Sequence, residues 1–166
     1  MIRPEILERI RAIQRASQVV RAGAWRTADA VDRVVLDADE RRRRRMVLAG
    51  EGGMKFLLDL AEVTRLSDGD GLVLDDGTVV AVIAKPEPLV EITAADAAAL
   101  ARLAWHLGNR HAELQVAGDR LRMRRDHVLE DMLAALGAHL VTIEAPFEPE
   151  RGAYQRGHHT DAGEDG

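Results

Sequence analysis

The sequence predicts an α+β protein with a small N-terminal all-β domain, a ferredoxin-like βαββαβ domain and a short disordered tail. Three observations predict this class. Short apolar runs separated by Asp and Gly dominate the first half of the chain, strands alternate with capped helical segments in the second half, and two prolines separate the halves. We therefore expect a β-rich domain at residues 1–85, a ferredoxin-like domain at 86–150, and a flexible tail at 151–166.

The first domain is predicted from four apolar runs of strand length. Asp68–Gly71 and Asp75–Gly77 precede and follow one of these runs, and Asp-Gly pairs between apolar runs are typical of β-hairpins. Residues 1–9 are expected to be a loosely held start. The runs are Val34–Leu36, Phe56–Leu58, Leu72–Leu74 and Val79–Ile83.

Lys85-Pro86-Glu87-Pro88 predicts a break between the two domains. Proline lacks the backbone N–H and fixes φ, so two prolines in four residues disfavour a strand or a helix interior. We expect a short, stiff spacer at this point.

The second domain begins with a predicted strand at Leu89–Ile92. Thr93 and Asp96 have the spacing of a capping box, with Asp in place of the usual Glu, so a helix is predicted over Ala94–Leu107. Gly108 is expected to end that helix, because glycine is the usual residue just past a helix C-terminus.

The sequence of the rest of the second domain predicts a hairpin, a helix and a strand. Ala117-Gly118-Asp119 joins the strands Leu114–Val116 and Leu121–Met123. Asp126 caps a helix that runs through Leu136 and stops at Gly137, and His139–Ile143 forms the last strand. The resulting order, β-α-β-β-α-β, is the split βαβ arrangement of ferredoxin-like domains.

Composition excludes several classes of protein. There is no cysteine, so disulfide scaffolds and thiol nucleophiles are excluded. The chain shows neither a signal peptide nor a membrane-spanning run, which predicts a cytoplasmic protein without membrane contact. The net charge is −5, and most of the excess acid follows residue 85, which disfavours nucleic-acid binding.

Arg41–Arg45 is the densest run of charge in the chain. Five acidic residues just upstream offset its field, and no aromatic residue interleaves it as a stacking platform for nucleic acid would require. We expect a solvated charged face, or a patch that docks an acidic protein partner. The acidic residues are Asp29, Asp32, Asp37, Asp39 and Glu40.

All six histidines follow residue 105, in the acidic half of the chain. Imidazole suits Zn, Cu, Fe and Ni, so this half is a candidate metal binder. His111 follows the predicted Gly108 stop and can serve as a surface ligand. His127 begins the second helix and can turn toward a metal, whereas Asp126 is better explained as the N-cap. His158 and His159 in the tail can deliver two imidazoles to an ion held elsewhere.

Two histidines are more simply interpreted as structural residues than as metal ligands. His106 is expected to be a partly buried helix residue and His139 a structural residue at the start of a strand. Two functions besides plain metal binding are open at this point: a metal-dependent hydrolase using His111, His127 and a carboxylate, and a plain peptide-binding module. Catalytic pairing of Asp126 with His127 is disfavoured, because no serine or cysteine lies near them in the sequence.

Several motifs together resemble the UreE family of urease accessory proteins, and the resemblance covers about residues 10–159. The motifs are Ala104–His111, Asp126–Leu133, Ala145–Glu150, Gly152–Tyr154 with the histidines after it, and, in the first half, Asp39–Arg45, Phe56–Leu60 and Asp68–Leu72.

The resemblance implies a homodimeric nickel metallochaperone, not an enzyme. It implies that His111 of each protomer shares one Ni(II) ion at the dimer interface, and that the metal passes to apo-urease with the family's GTPase partner. His127 matches a histidine that binds further metal in some members. Arg125 stands where some members have another histidine, which disfavours that extra site. The preference for nickel comes from the family, since Zn(II) and Cu(II) suit the same imidazoles.

Overall fold

The computed structural model describes residues 3–5 and 13–152 of the chain. This part of the chain forms two compact units. One comprises the described residues up to Val90 together with Thr142–Glu148, and the other comprises Glu91–Val141 with the residues from Pro149 on. The predicted α+β class is confirmed, with a mostly β first part and a β-α-β-β-α-β second part. The domain boundaries stay predictions, and the tail beyond residue 152 lies outside the described residues.

A six-stranded mixed sheet forms the first unit. Its order is β2-β6-β5-β1-β4-β3, with β1/β4 and β2/β6 parallel and the other neighbours antiparallel. All four predicted runs lie in strands, whereas β1 and β3 were not predicted. The strands are β1 (Gln14–Val20), β2 (Asp32–Leu36), β3 (Arg45–Ala49), β4 (Lys55–Asp59), β5 (Gly71–Leu74) and β6 (Val79–Ala84).

Alternation along the strands builds the core of this unit. In β4, Phe56 and Leu58 are fully buried, whereas Lys55 is exposed. Leu58 pairs in register with Ala16 of β1, which is also fully buried, so neighbouring strands direct apolar side chains to the same face. The buried cluster is Ala16, Val34, Leu36, Leu48, Phe56, Leu58, Leu60, Leu66, Leu72, Leu74, Val80 and Val82.

Only one of the two Asp-Gly segments forms a hairpin turn. Gly77, at φ +84°, lies in the turn between the antiparallel strands β5 and β6, as predicted. The hairpin expected at Asp68–Gly71 is wrong, because β1 lies between β4 and β5 in the sheet. Asp70 in that segment is instead buried, and its carboxylate accepts hydrogen bonds from Ser67 N, Ala22 N and the guanidinium of Arg21 at 2.8–2.9 Å.

The predicted spacer at Lys85–Pro88 is also wrong. β6 ends at Ala84 and β7 (Pro86–Thr93) begins two residues later, so both prolines lie in the strand. Proline is tolerated at the first residue of a strand, where a missing N–H costs no ladder hydrogen bond. The predicted strand Leu89–Ile92 is confirmed as the inner part of β7, with Leu89 and Ile92 fully buried.

Helix α1 (Ala97–Asn109) begins later and ends later than predicted. Its N-cap is Asp96, whose carboxylate accepts a hydrogen bond from Ala99 N at 2.7 Å. Thr93 is the last residue of β7, so the capping box expected there is wrong. Gly108 is a helical residue and does not end the helix. Leu103 and Leu107, four residues apart, form its buried face.

The remaining predicted elements are confirmed. β8 (Gln115–Ala117) and β9 (Arg120–Arg124) form an antiparallel hairpin, α2 (His127–Ala135) follows, and β10 (His139–Pro146) extends three residues beyond the predicted strand. The four-stranded sheet has the order β10-β7-β9-β8. No helix of the described residues is long and apolar enough to cross a bilayer.

Candidate functional site

His111 lies just past α1 and its side chain is exposed. Its backbone N donates to Gly108 O at 3.1 Å, and Ala112 N donates to Leu107 O at 3.1 Å. These two bonds are those of a Schellman motif, which places His111 at the position that glycine usually occupies. Its φ is accordingly +56°. The structure thus presents the imidazole at a fixed helix end, as a surface ligand requires.

His127 is exposed at the first position of α2. Asp126 caps this helix, accepting hydrogen bonds from Val128 N and Leu129 N at 3.0 Å each, so the predicted N-cap is confirmed. An open depression of about 670 Å³ lies beside His127 and includes Arg110, the neighbour of His111. His111 itself does not line this depression. The lining residues are Arg110, Arg125, Asp126, His127, Val128, Leu129 and Glu130.

Arg125 and Glu130 form an ion pair in the same depression. Arg125 Nε donates to both carboxylate oxygens of Glu130, at 3.0 and 3.2 Å. Glu130 also accepts from Asp126 N at 2.9 Å, which completes the cap of α2. Because a guanidinium and the helix backbone already engage this carboxylate, it is a poor ligand for a metal ion at His127.

Of the other four histidines, two lie in described elements and two lie outside the described residues. His106 is half-buried in α1 and its ring meets the ring of Trp105 edge-on, with the centroids 5.0 Å apart, so the expected partly buried helix histidine is confirmed. His139 begins β10 as predicted and is exposed. His158 and His159 lie outside the described residues.

Within residues 3–5 and 13–152, no three His, Asp or Glu side chains converge on a point where they could hold one metal ion. The structure brings His127 and the end of α1 to one depression but leaves His111 beside it. The candidate ligands His111 and His127 are therefore each exposed and separately placed.

Glu91 of β7 is a charged group that sequence reasoning missed. It is only 8% exposed, and its two oxygens accept from Arg120 at 2.5 Å and Arg122 at 3.0 Å. The hydrogen bond from Arg120, followed by that from Arg122, holds the pKa of Glu91 below its ordinary value despite burial. The alternation Arg120-x-Arg122 on a strand was the available signal, since it places both guanidinium groups on one face.

Arg41 corrects the expectation of a solvated arginine run. Its side chain is fully buried, although Arg43, Arg44 and Arg45 are exposed. Arg41 Nη1 donates to Leu66 O at 3.2 Å and lies 3.2 Å from Glu148 Oε1, and Nη2 donates to Phe147 O. The first arginine of the run is thus an internal contact that secures residues 147 and 148 to the first unit.

Comparison with known proteins agrees with this architecture. Residues 5–85 match the model of the UreE urease accessory protein N-terminal domain, and residues 87–166 match the model of its C-terminal domain. These two matches together span almost the whole chain, and they divide it at Pro86.

Individual relatives carry the same name, "Urease accessory protein UreE". One from Rhodopseudomonas palustris (strain HaA2) is 54% identical over 144 residues, 87% of this chain and 66% of the relative, so the chain spans slightly less than two thirds of its length. One from Beijerinckia indica is 53% identical over 84% of this chain and 80% of the relative. One from Ruegeria pomeroyi is 47% identical over 82% of this chain and 89% of the relative.

All three relatives are named as urease accessory proteins. Both family models match in the order in which the two parts follow each other in the chain. The chain therefore belongs to the UreE family of urease accessory proteins.

Proposed function

We propose that this chain is a nickel metallochaperone for urease maturation, and that His111 from each of two copies binds one Ni(II) ion between them. The observation that carries the proposal is the exposed imidazole of His111 at the fixed end of α1, in a chain of the UreE family. Imidazole is a suitable ligand for Ni(II), and also for Zn(II) or Cu(II) at the same site.

A homodimer supplies what one exposed imidazole lacks. Binding by a pair of His111 side chains doubles the number of ligands, and separation of the two copies or exchange of a ligand releases the ion. Trp105, on the same helix, is 64% exposed. Because aromatic side chains are enriched at protein interfaces, its exposure supports a partner copy near the end of α1.

His127, His158 and His159 are proposed as secondary ligands. The paired guanidinium of Arg125 beside His127 disfavours a second tightly bound cation there, so few ions are expected per dimer. The division into a partner-binding part at 1–85, a metal-binding part at 86–150 and a tail at 151–166 belongs to the same proposal.

Delivery requires further partners. We propose that the dimer passes nickel to apo-urease together with the urease accessory GTPase, in the cytoplasm. A carrier must surrender its ion, and exposed imidazoles at element ends allow ligand-by-ligand transfer. The competing hypothesis is that the chain is a plain peptide-binding module, and this hypothesis predicts no nickel binding.

Calorimetric nickel titration tests the proposal through a matched pair of histidine variants. We expect His111→Ala to weaken the tightest site by more than about 100-fold, because both copies lose a ligand at once, and loss of even a supporting group costs 10- to 100-fold. His139→Ala removes an equally exposed imidazole from β10 and should leave that affinity unchanged. Unchanged affinity in His111→Ala would overturn the assignment of His111.

A further inference from the structure

Among the described residues, His111 is the one non-glycine residue with a positive φ, +56°. Six glycines share this region of backbone conformation, at φ between +64° and +92°. In the left-handed region the Cβ of an L-residue approaches a neighbouring carbonyl oxygen, and glycine avoids this contact. Histidine enters the region more often than most residues do, but still at a cost.

Helix α2 provides an internal comparison for the end of α1. Gly137 N donates to Ala134 O and Ala138 N donates to Leu133 O, both at 3.0 Å. These are the same two bonds that His111 and Ala112 make at the end of α1, and Gly137 has φ +87°. The two helices thus end in the same motif, and one of them carries an imidazole where the other carries glycine.

The glycine that a C-cap would use is available one turn earlier. Gly108 lies inside α1, without a positive φ, and an added Cβ there would meet no atom within 4 Å apart from the backbone of its own helix. Neither conformation nor space therefore requires glycine at 108, whereas the backbone favours glycine at 111. The chain places histidine at the position where its backbone is strained.

We propose that His111 is a positioning device as well as a ligand: its left-handed backbone, closed by the Schellman bonds, sets the direction of the imidazole. This inference rests on the proposed function. A helical residue directs its Cα–Cβ bond toward the helix N-terminus, and reversal of φ at His111 releases the side chain from that direction. Strained backbone that persists in a folded protein is concentrated at functional sites.

Thermal unfolding of the metal-free protein tests the backbone strain at His111 independently of nickel binding. His111→Gly and His111→Ala both remove the imidazole, so their difference reports the backbone. We expect His111→Gly to melt about 2–4 °C above His111→Ala. Gly137→Ala is the matched control and should melt below wild type by a similar amount, whereas Gly108→Ala should melt at or above wild type. Equal melting temperatures for the two His111 variants would contradict the inference that the backbone is strained at this position.

Nickel titration of a variant in which the histidine is moved by one residue tests whether the direction of the imidazole matters for binding. Arg110→His combined with His111→Gly moves the imidazole one residue back and leaves glycine in the left-handed position. We expect its nickel affinity to stay at least tenfold below that of wild type. Wild-type affinity in this variant would overturn the positioning role. A wild-type protein that binds no nickel would overturn the proposed function instead, while the melting comparison would still decide whether His111 is strained.

Discussion

Arg41 shows how one residue of a charged run can differ from its neighbours. Its guanidinium is buried against two carbonyl oxygens, of Leu66 and Phe147, and the carboxylate of Glu148. A buried cation is tolerated when such acceptors surround it, and removal of the guanidinium takes one contact away from each of the three acceptors. Arg43, two residues further along the run, is exposed to solvent.

We therefore predict that Arg41→Met destabilises the fold by about 3–5 kcal/mol, because two buried carbonyl groups and a carboxylate lose their contact with the guanidinium. Urea denaturation followed by circular dichroism measures this change. Arg43→Met is the control and should change the free energy of unfolding by less than about 0.5 kcal/mol. Similar small effects for both variants would show that Arg41 contributes no more than a surface arginine.

The sequence could not distinguish Arg41 from Arg43. Five consecutive identical residues carry no periodicity, and the acceptors of Arg41 come from distant positions, including Phe147. The histidines were more informative, because His106, His127 and His139 each occupy the helix or strand position that was predicted. The left-handed backbone of His111 could not be foreseen, since Gly108 offered a plausible earlier stop.

Among the elements, the carboxylate of Asp32 in strand β2 binds the loop of the β3–β4 hairpin. Asp32 accepts hydrogen bonds from Gly52 N at 2.8 Å, Met54 N at 3.1 Å and Arg33 N at 2.7 Å. The hydrogen bond from Gly52 N is the largest contribution, and it lowers the pKa of the Asp32 carboxyl below its ordinary value. The loop also approaches closely at Gly50, where a Cβ would lie 2.1 Å from Asp32 Oδ2.

This geometry predicts a pH-dependent contribution to stability. Because the folded pKa of Asp32 lies below its unfolded value, the ionised carboxylate stabilises the fold above about pH 3.8, and this stabilisation is lost as pH falls through the folded pKa. Asp32→Asn should be less stable than wild type at pH 7, and the difference should shrink as pH falls through the folded pKa of Asp32. Urea unfolding at a series of pH values measures the gap, with Asp75→Asn in the β5–β6 turn as a control. A gap that does not change with pH would contradict this account.

Some turn and cap residues were predictable from the sequence, whereas the Asp68–Gly71 turn, the Gly108 helix end and the two prolines were not. Gly77 and Gly137 adopt positive φ where the sequence placed a turn and a helix end. Pro86 and Pro88 suggested a spacer, but they lie in the outer part of β7, where a strand tolerates proline. Strand pairing was not predictable, since parallel contacts such as β1 with β4 join segments distant in sequence.

For the molecule as a whole, the two halves of the chain were predictable in class and order, because hydrophobic periodicity changes between them. Part of the second half nevertheless belongs to the first compact unit, which includes Thr142–Glu148. The signal for this placement is weak in the sequence: Phe147 is fully buried in a small cluster with Ala38 and Leu89, which are far apart along the chain. The proposed metal site could be predicted from the residues only as single histidines, since the sharing of an ion between two copies was implied by the family resemblance.

The contribution of the tail can be tested by truncation. Glu150 N donates to Leu114 O at 2.7 Å, so truncation after Glu150 keeps this contact and removes His158 and His159. We expect a folded dimer that binds nickel about tenfold more weakly or with fewer ions, because two imidazoles are lost. His158→Ala with His159→Ala in the full chain is the matched control and should reproduce the effect. Wild-type nickel affinity and ion count in both variants would remove the tail histidines from the proposed site.

Native mass spectrometry of the nickel-titrated protein tests the central claim most directly, because it counts chains and ions in one measurement. If His111 from two copies shares the ion, wild type should show a dimer with one tightly bound Ni(II) that forms before any other nickel-loaded species. His111→Ala should remain a folded protein without that species, and His139→Ala should keep it. Tight binding of one Ni(II) to each single chain, or an unchanged nickel-loaded dimer in His111→Ala, would contradict the shared site.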